Sequence, residues 1–158
     1  MKRLTSILFI TLLVLAAFAF LFLAGGTLKA ELNPVSAAAT EYPQVFESIR
    51  GVLESGAAPQ VFAEGVPDAP DGLRLEDVTI TLSNRGIFDA EWVSVEVAPA
   101  PGDLAVYSLS GEGSTIRART IGTINLKLLS RMDVSGPRTY RVQYYIYGTK
   151  RTVTLRQE

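Results

Sequence analysis

Three hydrophobic rhythms follow one another along the chain. From Leu4 to Leu28 no residue is charged, and apolar side chains dominate. A helix rises about 1.5 Å per residue and about 20 apolar residues cross a bilayer core, so residues 4–24 predict a membrane-spanning helix. Lys2 and Arg3 precede it, a flank that holds the N-terminus on the cytoplasmic side and places the rest of the chain outside. Residues 1–26 therefore read as an N-terminal transmembrane anchor or a signal peptide. The run exceeds the roughly 7–15 residues of a signal core, which favours a retained anchor. Small-residue motifs at Ala24-Gly25-Gly26 and Ser36-Ala37-Ala38-Ala39 keep cleavage, and with it secretion, open. Glycine stands where a lipoprotein would need its modified cysteine, so lipidation is excluded.

The second rhythm is helical and short. Val45, Phe46, Ile49, Val52 and Leu53 recur at i, i+1, i+4, i+7 and i+8, an amphipathic stripe near residues 43–55. Thr40 is placed to cap this helix, Pro43 suits its first turn and Gly56 stops it. So short a helix is marginal alone, and its stripe needs a partner. The following domain, a second copy of the chain or the membrane surface would each serve. Around the helix, residues 27–73 form an Ala/Pro-rich spacer. In it Lys29 and Arg50 face Glu31, Glu41, Glu47, Glu54, Glu64, Asp68 and Asp71, for a net −5. Pro-Gln-Val-Phe occurs at Pro43–Phe46 and again at Pro59–Phe62; the second copy, bounded by glycines, suits a short edge strand. Gly65–Gly72 reads as turns.

The third rhythm has period two. Val78, Ile80 and Leu82 alternate with polar residues, as do Val93, Val95 and Val97, and Tyr140, Val142, Tyr144 and Ile146. Shorter runs at Leu104–Leu109, Thr115–Ala118, Ile124–Leu128 and Thr152–Leu155 fall between turn signals. Six or seven strands at spacings of roughly 8–12 residues predict an antiparallel sandwich. The expected architecture is all-β: an immunoglobulin-like antiparallel β-sandwich over 74–158, preceded by an N-terminal transmembrane helix and a short amphipathic helix. Without disulfides, Trp92 and the tyrosines are expected to supply its bulk.

Val78-Thr-Ile-Thr-Leu-Ser-Asn-Arg-Gly86, followed by Val93-Ser-Val-Glu-Val97 and closed by Tyr140-Arg-Val-Gln-Tyr-Tyr-Ile-Tyr-Gly148, resembles prokaryotic Ig-like extracytoplasmic domains. CARDB-type and late-embryogenesis type 2 domains share this layout over about residues 76–156. The resemblance implies fold and surface location and carries no catalytic residues.

Composition then removes whole chemistries. The chain of 158 residues has no cysteine and no histidine. That excludes thiolate zinc sites, Ser-His-Asp triads and imidazole general bases. Net charge of −1 argues against a nucleic-acid binder. No nucleotide or nucleophile motif is present; Ser110-Gly-Glu-Gly-Ser114 reads as a hairpin turn, and Glu76 and Asp77 sit at a strand edge without an apolar pocket. No Asn-x-Ser/Thr sequon occurs. No catalytic, cofactor or metal residues are assigned, no cofactor is expected, and no small-molecule ligand is evident.

One feature points outward. Arg138, Arg141, Lys150, Arg151 and Arg156 stand in an acid-free stretch, with Gln143, Tyr145 and Tyr147 on the outward side of one strand. Tyr and Arg are favoured at interfaces, though they also form and guard strand edges. Arg141, Tyr145, Tyr147 and Arg156 are the candidate partner-binding residues. The function expected is a single-pass, membrane-anchored extracytoplasmic accessory or scaffold module that is not an enzyme and binds another envelope protein or itself. A pilin-like filament subunit is the alternative, although no prepilin processing site precedes the helix. A glycan binder or an enzyme finds no residues in its support.

Overall fold

A computed structural model describes residues 2–24, 28–65, 67–134 and 136–157, with the side chains of the first helix described over 6–20. Gly25 and Gly26 of the first cleavage motif lie outside the described residues. The elements are α1 (Lys2–Ala24), β1 (Leu28–Ala38), a 3-10 turn (Ala39–Glu41), α2 (Pro43–Glu54), β2 (Gln60–Val61), β3 (Leu73–Asn84), β4 (Ala90–Ala98), β5 (Asp103–Ser110), β6 (Ser114–Ile116), β7 (Ile121–Arg131), β8 (Arg138–Ile146) and β9 (Thr149–Gln157). The side chains of α1 over 6–20 are all exposed. Among the described residues no helix is long and apolar enough to cross a membrane; residues 4, 5 and 21–24 of the expected span lie outside the described side chains.

Two antiparallel sheets face each other. One runs β1-β3-β7-β5-β2 and the other β6-β4-β8-β9. Without the short β2 and β6, this is the ABED and CFG order of an immunoglobulin constant-type sandwich. Period-two alternation builds the core. Val78, Ile80 and Leu82 from β3 meet Ile124, Leu126 and Leu128 from β7, Val93, Val95 and Val97 from β4, and Tyr140, Val142, Tyr144 and Ile146 from β8.

The sheet starts earlier than the sequence pattern indicates. Residues 28–38, expected as spacer, form β1 and pair with β3 from Leu28↔Asn84 to Ala38↔Arg74. Only Leu28 is buried on this edge strand, while Ala30 and Leu32 are partly buried, so its alternation is faint. Pro34 is tolerated because an edge strand leaves one side unpaired. The second cleavage motif, Ser36–Ala39, thus falls at the end of a paired strand, and Ala39 is fully buried.

Trp92 also departs from expectation. It is 70% exposed and contributes nothing to the interior. Between Ala90 and Val93 the ladder of β4 with β6 is irregular, so both of these residues point inward and the one before Val93 turns out, at φ 51°. The tyrosine expectation is met by Tyr140 and Tyr144, both buried.

α2 finds its partner in its own domain. Phe46 and Ile49 pack with Leu73, Leu75, Leu104 and Leu129, covering the outer face of the five-stranded sheet near one end. Tyr42, not Thr40, precedes the helix, with no side-chain cap; Thr40 lies in the 3-10 turn. The helix ends in a Schellman pattern, with Ala57 N bonded to Val52 O and Gly56 N to Leu53 O. Gly56 takes φ +69°, which glycine adopts without steric cost. The second Pro-Gln-Val-Phe copy supplies β2, paired with β5 at the sheet edge.

The strand directions define two ends. Leu28, the 85–89 loop, the 117–120 turn and the Tyr147-Gly148 turn lie at one, here the tether end. The 99–102 and 131–137 connections and the start of β8 lie at the other, the distal end.

Candidate functional site

The outer face of the four-stranded sheet has no helix over it among the described residues. Register places its side chains in rows: Glu91, Tyr145 and Lys150; Ser94, Gln143 and Thr152; Glu96, Arg141 and Thr154; Ala98, Thr139 and Arg156. Arg141 Nη1 lies 3.9 Å from Glu96 Oε2, with both side chains about half exposed. Gln143 Nε2 donates to the same carboxylate at 3.4 Å. The face is polar and carries charges of both signs.

This geometry divides the candidate residues. Arg141 and Tyr145 share the face two rows apart, and Arg156 sits diagonally beside Arg141, also reaching the cleft described below. Tyr147 leaves the face. It occupies the β8–β9 turn at φ 48°, ahead of Gly148 at 70°, the type I′ pattern of two-residue hairpins. Its ring meets Phe88 edge-on at 4.8 Å. Tyr145 instead shares a shallow depression with Glu91, Trp92 and Gly148.

Arg138 does not belong to the surface patch. It is buried at the distal end, where Nε donates to Asp103 Oδ2 at 2.7 Å and Nη1 to Glu76 Oε2 at 2.7 Å. Nη2 also bonds Asp103 Oδ1. Arg74 Nη2 lies 2.8 Å from Glu76 Oε1, and Tyr140 Oη donates to Gln157 Oε1 at 2.7 Å. Two guanidinium groups thus balance two carboxylates, tying β8 to β3 and β5. Glu76, expected at a strand edge without an apolar pocket, is 3% exposed. Burial pushes its carboxyl up, but the Arg138 hydrogen bonds and charge, with Arg74, bring it below the ordinary value. Arg138 is conversely pushed higher: burial disfavours its charge, and its bonds to Asp103 and Glu76 outweigh that.

The cluster floors a cleft of about 530 Å3 that also involves Pro34, Pro101 and Arg156. A general acid or base needs a pKa near the working pH; Glu76 is held ionised and paired, which suits a clamp between sheets. Alternation carried the missed signal. Arg138 is in phase with Tyr140 and Val142, and Glu76 with Val78 and Ile80, so both point into the core.

The free edge of β4 is closed by side chains. Gln60 Oε1 accepts from Val97 N at 3.3 Å and its Nε2 donates to Val95 O at 3.4 Å. Glu112 Oε1 accepts from Val95 N at 2.8 Å. Glu112 sits in the Ser110–Ser114 turn, where Gly111 is required: at φ +89° a Cβ would lie 2.5 Å from Thr123 O. Among the described residues no group of three or more His, Cys, Asp or Glu is placed to hold a metal ion.

Neither a protein-family model nor a curated protein matches this chain. Among solved structures it is similar to the GAE domain of yeast GGA1, with TM-score 0.40 and 12% identity over 61% of this chain and 95% of that one. It is also similar to a FixG-related protein from Vibrio parahaemolyticus, with TM-score 0.34 and 11% identity over 80% and 93%. A third likeness is to the cupredoxin domain of amoB from Nitrosocaldus yellowstonii, with TM-score 0.37 and 15% identity over 82% and 88%.

Proposed function

We propose that this chain is a membrane-anchored, extracytoplasmic Ig-like module that works without catalysis, as an accessory or scaffold subunit binding another envelope protein. The observation that carries the reading is the unequal cover of the two sheets. α2 lies over the outer face of one, while among the described residues no helix covers the outer face of the other, which presents Arg141, Gln143, Tyr145, Thr152 and Thr154 in register. Mixed charge, a tyrosine and short hydroxyl side chains suit a polar protein interface.

α1 supplies the anchor. Counted over its whole length, including the residues beyond the described side chains, its 23 residues extend about 34 Å at 1.5 Å each, against a bilayer core of about 30 Å. Residues 4–24 carry no charge, and the large side chains from Ile7 to Phe20 are exposed, leaving lipid as the environment that suits them. Lys2 and Arg3 set the orientation.

The test is co-purification from the native membranes. Arg141→Ala/Tyr145→Ala/Thr154→Ala should lose a partner that the wild type retains, while Thr79→Ala/Thr81→Ala on the opposite sheet keeps it. Equal recovery with all three proteins overturns the proposed face.

A further inference from the structure

We infer that the tether end of the sandwich rests on the anionic headgroup surface of the same bilayer that α1 enters. This rests on the anchored reading proposed above.

Chain length brings the two together. Leu28 follows Ala24 by four residues, which span at most about 14 Å when extended. Leu28 is fixed in the sandwich: it pairs with Asn84, and its N–H donates to Tyr144 Oη at 3.2 Å. The 85–89 loop and the Tyr147-Gly148 turn lie at this same end, so they cannot stand far from the point where the helix meets the headgroups.

The side chains at this end suit that place. Trp92 is 70% exposed and Tyr147 69%, more than any other described aromatic of the sandwich, and Ile87 in the adjoining loop is exposed too. Tryptophan and tyrosine prefer the interface between hydrocarbon and water. Both hold left-handed backbone, φ 51° and 48°, which disfavours bulky residues. At Tyr147 the hairpin turn accounts for this backbone; at Trp92 the irregular stretch of β4 turns a large ring outward.

Charge agrees. Lys29, Arg85, Arg117, Arg119, Lys150 and Arg151 gather at the tether end, against Glu31, Asp89 and Glu91. Asp89 is already bonded to Ala118 N at 2.7 Å. Apart from the paired interior cluster, Glu41, Glu64, Asp68, Asp71 and Asp133 stand toward the distal end, against Arg131 and Arg156. Basic residues near a membrane are drawn to anionic lipid within about a Debye length. The molecule is thus polarised with its basic, aromatic end beside the anchor.

Trp92 is the chain's one tryptophan, so its fluorescence reports the contact directly. The full chain is reconstituted into phosphatidylcholine vesicles with and without phosphatidylglycerol, each containing lipid brominated near the headgroup. The expected result is blue-shifted emission and about a twofold loss of intensity in the anionic vesicles, reduced by high salt and by Arg117→Gln/Arg119→Gln. Alkaline carbonate extraction of the same vesicles reports the anchor separately. Protein that resists extraction but shows unquenched Trp92 emission overturns this inference and leaves the anchor standing. Protein released by carbonate overturns the anchor itself. A blue shift that brominated lipid fails to quench means a protein surface covers Trp92, and overturns the inference.

Discussion

Arg138 Nη1 lies 2.7 Å from Glu76 Oε2 across the interior of the sandwich, joining β8 to β3. The pair is 3% exposed on each side, so neither group has water to fall back on. Arg138→Met keeps much of the side-chain volume but leaves two buried carboxylates without their shared cation. Losing one partner of a buried pair costs about 3–5 kcal/mol. Urea denaturation followed by circular dichroism should show that drop. Glu76→Gln/Asp103→Asn added to Arg138→Met should recover part of it, because the uncompensated charges are then gone.

The same cluster sets an acid limit. The carboxyl of Glu76 lies below its ordinary value of 4.5, burial pushing it up and Arg138 and Arg74 pulling it further down. A lowered carboxyl contributes stability that is present above 4.5 and lost as pH falls through the folded-state value. Stability should therefore decline below about pH 4.5, and Glu76→Gln should flatten that limb while lowering stability at neutral pH. Tyr107 has the opposite sign. Burial pushes its hydroxyl from 10.0 up to about 12, so its contribution is present below pH 10 and lost between there and about 12. Tyr107→Phe should flatten the alkaline limb. Thermal melts across pH read both.

Phe46 and Val45 are neighbours in α2 with opposite fates, 1% and 42% exposed. Phe46→Ala should cost about 3–5 kcal/mol, since it empties the contact between helix and sheet. Val45→Ala should stay within about 0.5 kcal/mol. Equal effects would mean that α2 is not docked as described.

The twin tetrapeptide shows why sequence carried the strands further than the site. Pro43-Gln-Val-Phe46 is helical and Pro59-Gln-Val-Phe62 forms a sheet edge; only the apolar spacing downstream distinguishes them. Strands with one buried face were legible because Val78, Val93 or Tyr140 repeat every second residue. β1 was not, because an edge strand with Ala30, Pro34 and Ser36 buries too little to show a period. Trp92 escapes the alternation because a ladder irregularity changes which residues face inward, and period two assumes none. The charges of Arg138 and Glu76 point to solvent while their phase points inward, and in the structure the phase prevails. Of the candidate residues, Arg141, Tyr145 and Arg156 come to one face; Tyr147 leaves it because the turn, not the strand, orients it.

Gln60 and Glu112 close the edge of β4 that β6 leaves open. Glu112→Ala removes the acceptor for Val95 N, and an unsatisfied partly buried amide costs about 1–3 kcal/mol. An exposed edge also invites pairing with another copy. Gln60→Ala/Glu112→Ala should therefore lower stability and raise the apparent mass at high concentration in sedimentation. A monodisperse monomer of unchanged stability would show that these side chains do not seal the edge.

β1 decides where processing can occur. Cleavage within Ser36–Ala39 would remove most or all of the 11-residue strand and expose the edge of β3 that it pairs with between Arg74 and Asn84. It would also free buried Ala39 from beneath α2. Cleavage before Leu28 spares every one of these contacts. Mature protein recovered from membranes or medium should accordingly begin at or before Leu28 by N-terminal sequencing. A chain made to begin at Thr40 should unfold at lower temperature and aggregate through β3. A stable mature form starting there would mean that β1 is dispensable to the sheet.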